Sequence, residues 1–181
     1  LIPVYNEKQN IEKWLNSVIN ADIGNLELEV IISDNNSNDG TKEILSKINN
    51  EKVKILYRTD NKGKGANIKN ALKEADGDLI LFQDADLEYS PVDYLSLLEP
   101  FYKFDADVVY GSRLTRAKAT AIIGFPNYIG NHILTFVANF LFNKIFTDIA
   151  TGYKIFKRET IKNIEITSDG FEIEPEITAK I

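Results

Sequence analysis

The chain has 181 residues, enough for one domain with a substantial core, and its 44% hydrophobic and 27% charged residues are typical of a globular fold. Acidic residues outnumber basic ones by 27 to 21. The resulting formal charge of −6 argues against a nucleic-acid binder, which needs clustered Lys and Arg. There is no Cys, so disulfides and Cys-based zinc sites are excluded.

The first and last residues resemble the interior of secondary-structure elements. The sequence has no Met, residues 1–4 look like the end of a strand, and residues 176–181 look like the middle of a helix. We therefore expect residues 1–181 to form a single domain that is truncated at both ends. No run of about 18 apolar residues is present, so the sequence predicts no transmembrane helix in this range.

Strand and helix patterns alternate along most of the chain. Apolar or β-branched runs predict strands over residues 1–4, 28–32, 53–57, 79–82, 108–110 and 152–157. Apolar residues at helical spacing predict helices over residues 7–20, 40–48, 63–75, 91–102 and 127–146, with another helix starting at 173. This alternation implies an α/β fold, a Rossmann-like sandwich with a mostly parallel central sheet flanked by helices.

Polar clusters follow three of the predicted strands. They are Tyr5-Asn6-Glu7, Asp34-Asn35-Asn36 and Asp84-Ala85-Asp86. In open α/β sheets the ligand crevice lies outside the carboxyl ends of the strands, so these clusters mark the expected site.

The segment Asp84-Ala85-Asp86-Leu87-Glu88 is the strongest local signal. It places three carboxylates two residues apart, directly after an apolar strand. Converging carboxylates repel each other unless a cation neutralises them, and Mg²⁺ or Mn²⁺ prefers such oxygen ligands. Asp84, Asp86 and Glu88 are therefore candidate metal ligands, although these residues alone fit a solvated acidic turn equally well.

Two further segments suit a nucleotide diphosphate. Gly63-Lys64-Gly65 opens a predicted helix. Glycines allow close approach of the backbone, and the start of a helix attracts phosphate, so Lys64 is a candidate for binding the diphosphate of a nucleotide. Asp34 and Asn35 stand at a strand end and suit a base or ribose contact. In isolation, both segments are also compatible with plain turns.

Several motifs in order resemble the family 2 glycosyltransferases of GT-A fold, and most of all the branch that makes dolichyl-phosphate or polyprenyl-phosphate sugars. The motifs that carry this resemblance are Pro3-Val4-Tyr5-Asn6-Glu7, Asp34 with Asp39-Gly40-Thr41, Asn61-Lys62-Gly63-Lys64-Gly65, Gly77-Asp78 with Asp84-Ala85-Asp86, Gly111-Ser112-Arg113, Thr151-Gly152-Tyr153-Lys154 and Phe171-Glu172-Ile173-Glu174-Pro175-Glu176-Ile177. The match covers essentially the whole chain.

The resemblance implies a role for each matching position. Pro3, Tyr5 and Glu7 line the nucleotide pocket, and Asp34 and Asn35 face the base. The ribose, diphosphate and metal are met by Asp84 and Asp86, with Glu88 as a further metal ligand. Arg113 is then a catalytic residue that holds the acceptor phosphate or the donor diphosphate. Many relatives have two aspartates where this chain has Asp34-Asn35, which leaves UDP and GDP both open as the donor nucleotide.

The implied activity is inverting, metal-dependent transfer of one sugar from a nucleotide-diphosphate sugar to an acceptor. A polyprenyl or dolichyl phosphate acceptor is already an anion and needs no general base. A saccharide hydroxyl needs one, for which Glu174 and Glu176 are candidates, although a helix-start charge pair is the simpler interpretation. A catalytically inactive nucleotide-binding module is the remaining alternative. The only tryptophan is Trp14, so the Gln-x-x-Arg-Trp motif of processive synthases is missing from this sequence.

The apolar stretch 127–146 has two interpretations. It is either a core helix that covers the sheet or an element that contacts the bilayer beside Arg116 and Lys118. The second interpretation agrees with a lipid-phosphate acceptor, and we expect the domain to act at the cytoplasmic face of a membrane.

Overall fold

A computed structural model describes residues 1–85, 89–112 and 125–181, with the backbone alone for 125–127. Its strands are β1 Ile2–Val4, β2 Val30–Asp34, β3 Val53–Tyr57, β4 Leu79–Phe82, β5 Val108–Tyr110 and β6 Lys154–Lys157. Its helices are α1 Ile11–Ile19, α2 Thr41–Leu45, α3 Lys64–Leu72, α4 Tyr94–Phe104, α5 Phe125–Phe142, α6 Arg158–Lys162 and α7 Ile173–Lys180. A 3-10 turn at Pro91–Asp93 leads into α4.

The strands form two three-stranded sheets that meet at the first residue of the chain. One sheet is parallel, with the order β1-β2-β3, and in the other β6 lies between β4 and β5 and runs antiparallel to both. The Leu1 ammonium donates to the Leu81 carbonyl at 2.6 Å, and the Gln83 amide donates to the Leu1 carbonyl at 3.1 Å. These bonds place β1 beside β4, so the polar ends of β1, β2 and β4 share one edge.

Helices cover both faces of the strands because β2 is apolar on both sides. Val30 and Ile32 pack with α1 and α2, whereas Ile31 points to the opposite face, against α3, α6 and α7. A third cluster packs α4 against β6, where Tyr153 and Ile155 are buried. This layered arrangement is the α/β sandwich that the sequence predicts.

Several predicted elements differ from the observed ones at their ends. Helix α1 begins at Ile11 rather than residue 7, because the Asn10 and Ile11 amides both donate to the Glu7 carbonyl and make a turn first. Strand β2 runs two residues later than predicted, which places Asp34 at its last position. The short helix α6 was not predicted from the sequence, nor was the antiparallel direction of β6 between β4 and β5.

Helix α5 has an inverted distribution of polarity. Asn131, Thr135 and Ala138 are buried against the protein, whereas Phe136 is 71% exposed and Phe140 is 79% exposed. The interpretation of this stretch as a core helix is therefore wrong, because most of its apolar side chains face away from the protein and its polar side is buried. Among the described helices, none has the length and apolar character needed to cross a bilayer.

Gly65 is required by close packing rather than by its backbone angles. A Cβ built there lies 2.5 Å from the Ser168 carbonyl oxygen and 3.0 Å from the Asp169 carbonyl carbon, both of them backbone atoms. We predict that Gly65→Ala lowers the free energy of unfolding by about 2 kcal/mol, because the 168–170 loop has to shift. Chemical denaturation measures this change.

Gly130 in α5 provides the matched control. No atom of the described residues lies within 4 Å of a Cβ built there. Because alanine favours helix over glycine, Gly130→Ala is expected to raise the free energy of unfolding by up to about 1 kcal/mol. Equal stability of the two variants would contradict the packing argument.

Candidate active site

The parallel register brings the predicted nucleotide-binding residues of β1 and β2 to one edge. Val4 is paired with Asp34, and Asp34 with Tyr57, so the three strands end together. Pro3 lies within β1 and is partly buried, while Tyr5 is exposed just beyond the strand.

The loop after β1 is fixed by hydrogen bonds to the loop after β2. The amides of Asn6 and Glu7 donate to the hydroxyls of Ser37 and Thr41, each at 2.9 Å, and the Lys8 amide donates to Asp39 at 3.1 Å. Asn6 adopts a left-handed backbone conformation with φ of 56°, a region that Asn tolerates better than most residues. The two loops therefore form one rigid wall of the crevice.

Asp34 has an unused hydrogen-bond acceptor in a buried position. Its side chain is fully buried, and Oδ2 accepts from the Ser37 amide at 3.1 Å. Within the described part of the chain, Oδ1 has no hydrogen-bond partner. Burying an unpaired carboxylate oxygen costs free energy, so this atom is suited to an N–H or O–H from a ligand.

Asn35 connects the end of β2 to the segment before α3. Its side-chain amide donates to Asn61 Oδ1 at 2.5 Å, and its Oδ1 accepts from the Lys62 amide at 3.3 Å. Asn35 thereby positions the Asn61-Lys62-Gly63-Lys64 segment beside Asp34.

The start of α3 differs from the predicted amide phosphate site. The amides of Gly65 and Ala66 donate to the carbonyls of Gly170 and Asp169, at 3.2 and 2.9 Å. Because these amides are already occupied, the prediction that they attract phosphate is wrong. The group at this helix start that faces the site is the Lys64 side chain.

Lys64 and Asp84 form a close, largely buried ion pair. The Lys64 ammonium lies 2.7 Å from Asp84 Oδ1 and 2.8 Å from Oδ2, with side-chain exposures of 9% for Lys64 and 25% for Asp84. The backbone of Gly152 packs on the carboxylate so closely that a Cβ there would lie 2.2 Å from Asp84 Oδ2. Asp84 is therefore held in place by β4 on one side and by residue 152 on the other.

Glu174 and Lys154 continue this ion pair into the core. Glu174 Oε1 lies 2.6 Å from the Lys64 ammonium, and Glu174 Oε2 accepts from Lys154, which is fully buried. Lys154 also donates to the Thr151 carbonyl and lies 5.0 Å from the centre of the Tyr110 ring. We refer to Lys154, Glu174, Lys64 and Asp84 as the charge relay, in which positive and negative groups alternate.

The electrostatics of the charge relay follow from burial and pairing. Burial alone would lower the pKa of Lys64, but the charges of Glu174 and Asp84 raise it well above its usual value. Burial would raise the pKa of Glu174, and the two lysines hold it below its usual range instead. Burial lowers the pKa of Lys154, and the Glu174 carboxylate opposes that effect.

Neither candidate general base is suited to that task. Glu174 is engaged by two ammonium groups, and Glu176 accepts hydrogen bonds from Thr167, Ser168 and Lys180. These hydrogen bonds lower the pKa of Glu176 despite the opposing effect of burial. A carboxylate whose pKa is held down in this way is a weak proton acceptor.

The structure describes some of the predicted site residues and not others. Asp86, Glu88 and Arg113 lie outside the described residues, as do Arg116 and Lys118. Glu7 is described: burial raises its pKa, a hydrogen bond with Asn10 opposes that rise, and the charges of Asp39 and Asp84 add to it.

Lys154, Gly152 and Tyr89 support the site, but no role was predicted for any of them. Gly152 and Lys154 appeared only as members of the motif at 151–154 that contributes to the family resemblance. The Tyr89 hydroxyl accepts from the Gly152 amide at 2.6 Å, and its ring packs on Tyr153 with centres 4.5 Å apart. The available signal was a lysine within the apolar run Tyr153-Lys154-Ile155-Phe156, since a buried lysine requires a partner.

Comparison with known proteins identifies the family of the chain and the fold that it shares. The family model described as "Glycosyl transferase family 2" matches residues 1–165. A dolichol-phosphate mannosyltransferase of Pyrococcus furiosus is 29% identical over 183 residues, covering 99% of this chain and 51% of that protein. A UDP-N-acetylglucosamine--dolichyl-phosphate N-acetylglucosaminyltransferase of Methanococcus voltae is 27% identical, covering 90% of this chain and 70% of that protein.

Solved structures give the same fold. Glucosyl-3-phosphoglycerate synthase from Mycobacterium tuberculosis, in complex with Mn²⁺, UDP and phosphoglyceric acid, matches with a TM-score of 0.70 and 20% identity. The match covers 99% of this chain and 61% of that one. The predicted GT-A fold is confirmed. The chain spans about half the length of the Pyrococcus relative.

Removing the central charge of the relay should destabilise the fold. Glu174→Gln leaves two lysines without their shared carboxylate, and breaking a buried ion pair typically costs about 3–5 kcal/mol. We predict a loss of about 3 kcal/mol in the free energy of unfolding, measured by chemical denaturation. Glu51→Gln at an exposed turn is the control and should change stability by less than about 0.5 kcal/mol. A Glu174→Gln variant as stable as the control would show that the relay contributes nothing to folding.

Proposed function

Because the chain belongs to glycosyl transferase family 2, we propose that it is the catalytic domain of an inverting, metal-dependent transferase. The proposed donor is a nucleotide-diphosphate sugar, and the proposed acceptor is a polyprenyl or dolichyl phosphate. The observation that carries the proposal is a chain of contacts from Asp34 at the end of β2 to Asp84 after β4. The neighbour of Asp34, Asn35, contacts the segment that precedes Lys64, and Lys64 pairs with Asp84.

The donor site is supported by complementary groups along the shared edge of β1, β2 and β4. Asp34 Oδ1, which has no hydrogen-bond partner among the described residues, is an acceptor for an N–H of the base or a hydroxyl of the ribose. The Lys64 ammonium is a donor for the diphosphate, and Asp84 lies next to it. This order, from base to phosphate, follows the edge from β2 to β4.

A divalent metal fits the chemistry of Asp84. Its carboxylate stands at the end of β4, is partly exposed and supplies the hard oxygen ligands that Mg²⁺ and Mn²⁺ prefer. Among the described residues no group of three or more His, Cys, Asp or Glu is assembled to hold an ion. We assign the metal to Asp84 together with Asp86 and Glu88, the acidic triad of the sequence, of which the last two lie outside the described residues. The bound ion supplies Lewis-acid stabilisation of the departing diphosphate.

The charge states of Glu174 and Glu176 favour an acceptor that is already anionic. A phosphate oxygen attacks the anomeric carbon from the side opposite the nucleotide. The new carbon–oxygen bond forms as the bond to the diphosphate breaks, and the configuration inverts. No proton has to be removed, so the protein needs to orient the reactants and neutralise charge. We assign the acceptor phosphate or the donor diphosphate to Arg113.

The inverted polarity of α5 supports contact with a membrane surface. Asn131 donates to Asp148 at 2.8 Å, and Asn139 exchanges two hydrogen bonds with the backbone of Phe146, so the polar side of the helix faces the protein. The outward side carries exposed Phe136 and Phe140, and residues 125–142 include no Asp, Glu, Lys or Arg. An uncharged apolar face suits the interface of a bilayer that contains the lipid acceptor, and we place the domain at its cytoplasmic side.

The donor proposal predicts metal-dependent nucleotide binding. Calorimetric titration with UDP and GDP, with and without Mn²⁺, should show that one nucleotide binds and that Mn²⁺ strengthens its binding. Asp84→Asn removes a metal ligand and should weaken that binding at least about tenfold, because loss of even an outer-shell partner costs this much. Asp22→Asn, on an exposed turn, should leave it unchanged. A folded protein that binds neither nucleotide with Mn²⁺ present would instead be the inactive module.

The membrane proposal predicts that polar substitutions on α5, but not elsewhere on the surface, weaken binding to lipid vesicles. Phe136→Ser combined with Phe140→Ser should reduce sedimentation with phosphatidylglycerol vesicles by at least about tenfold, because each buried Phe contributes about 1.5–3 kcal/mol. Phe104→Ser, on an equally exposed phenylalanine of α4, is the matched control. Vesicle binding that is unchanged by loss of both α5 phenylalanines would contradict a membrane contact through Phe136 and Phe140.

A further inference from the structure

We propose that Lys64 is an internal counterion that occupies the metal-binding carboxylate Asp84 before the donor binds and is then transferred to the donor diphosphate. The inference rests on the proposed function and adds a coupling between metal binding and nucleotide binding. Through this coupling, Lys64 makes the metal bind weakly alone and tightly together with a nucleotide.

The first observation is the symmetry of the Lys64–Asp84 pair. The ammonium is 2.7 and 2.8 Å from the two carboxylate oxygens, so neither oxygen is free of it. A divalent ion that binds Asp84 therefore competes with Lys64 for these oxygens, and the two cations repel each other across the carboxylate. The backbone of Gly152 lies close to Asp84 Oδ2, which limits movement of the carboxylate toward that side.

The second observation is that Lys64 has another carboxylate partner besides Asp84. Glu174 Oε1 lies 2.6 Å from the same ammonium and is itself fixed by Lys154, which is completely buried. Lys154 is fixed in turn by the Thr151 carbonyl and the face of Tyr110. The contact of Lys64 with Glu174 can therefore remain when its contact with the more exposed Asp84 is broken.

The third observation is the charge balance of the relay. Lys154 and Lys64 carry two positive charges, and Glu174 and Asp84 carry two negative ones, so the relay is neutral. When Asp84 turns to a metal ion, Lys154, Lys64 and Glu174 retain a net charge of 2 − 1 = +1. This positive charge lies in a largely buried position next to the proposed diphosphate, where electrostatic attraction is strong.

The proposal predicts two opposite effects of a single substitution. Lys64→Met frees Asp84, so Mn²⁺ alone should bind at least fivefold more tightly than to the wild type. The same variant lacks the cation for the diphosphate, so UDP or GDP at saturating Mn²⁺ should bind at least tenfold more weakly. A lysine that only supports the fold would weaken both, and a lysine that only contacts phosphate would leave Mn²⁺ binding unchanged.

The experiment measures Mn²⁺ binding by electron paramagnetic resonance of the free ion, and nucleotide binding by calorimetry. Lys64→Arg keeps the charge and can grip the carboxylate with two hydrogen bonds, so its affinity for Mn²⁺ alone should be no higher than that of the wild type. Lys73→Met, an exposed lysine directly after α3, controls for net charge and should change Mn²⁺ binding less than twofold. If Lys64→Met does not fold, Lys64→Gln replaces it with the same expectations.

An unchanged or weakened Mn²⁺ affinity in a folded Lys64→Met or Lys64→Gln variant overturns the counterion proposal. Failure of the proposed function gives a different result, because wild-type protein would then bind neither nucleotide at saturating Mn²⁺. The Mn²⁺ titration without nucleotide therefore tests Lys64 independently of the donor.

Discussion

The ion pair between Lys64 and Glu174 is the interaction on which the candidate site depends. It connects the start of α3 to α7, and its two neighbours, Asp84 and Lys154, extend it to the end of β4 and into β6. Replacing buried ion pairs with apolar side chains is often neutral or stabilising, so stability alone is a weak reason for keeping four such charges. Their position behind a partly exposed carboxylate gives a functional reason, because they fix the charge that a bound donor meets.

The sequence was sufficient to predict where the strands lie and which polar residues stand at their ends. Short runs rich in apolar and β-branched residues, such as 53–57 and 79–82, predict strands, and the structure has strands at both places. The positions of Asp34 and Asp84 follow from the rule that ligands bind at the carboxyl ends of strands. The roles of Gly152 and Lys154 depend on contacts with residues far away in the chain, which no local pattern contains. The amides at the start of α3 are the clearest case, because Asp169 and Gly170 occupy them from about a hundred residues away.

The arrangement of the strands and the orientation of α5 could not be predicted from the sequence either, because both depend on contacts between residues far apart in the chain. Alternating strands and helices predict a parallel sheet, but β6 follows a long helical stretch and enters between β4 and β5 in the opposite direction. In α5 the apolar residues outnumber the polar ones, which suggests a core helix. Asn131 and Asn139 find their partners at Asp148 and Phe146, and these hydrogen bonds turn the apolar side outward.

A crystal structure of the chain with Mn²⁺ and the nucleoside diphosphate that it binds would show whether Lys64 moves from Asp84 to the donor. We predict the base or ribose against Asp34, the metal on Asp84, and the Lys64 ammonium within hydrogen-bond distance of a phosphate oxygen while it still contacts Glu174. A nucleotide bound away from the shared edge of β1, β2 and β4, with the Lys64–Asp84 pair intact, would contradict it.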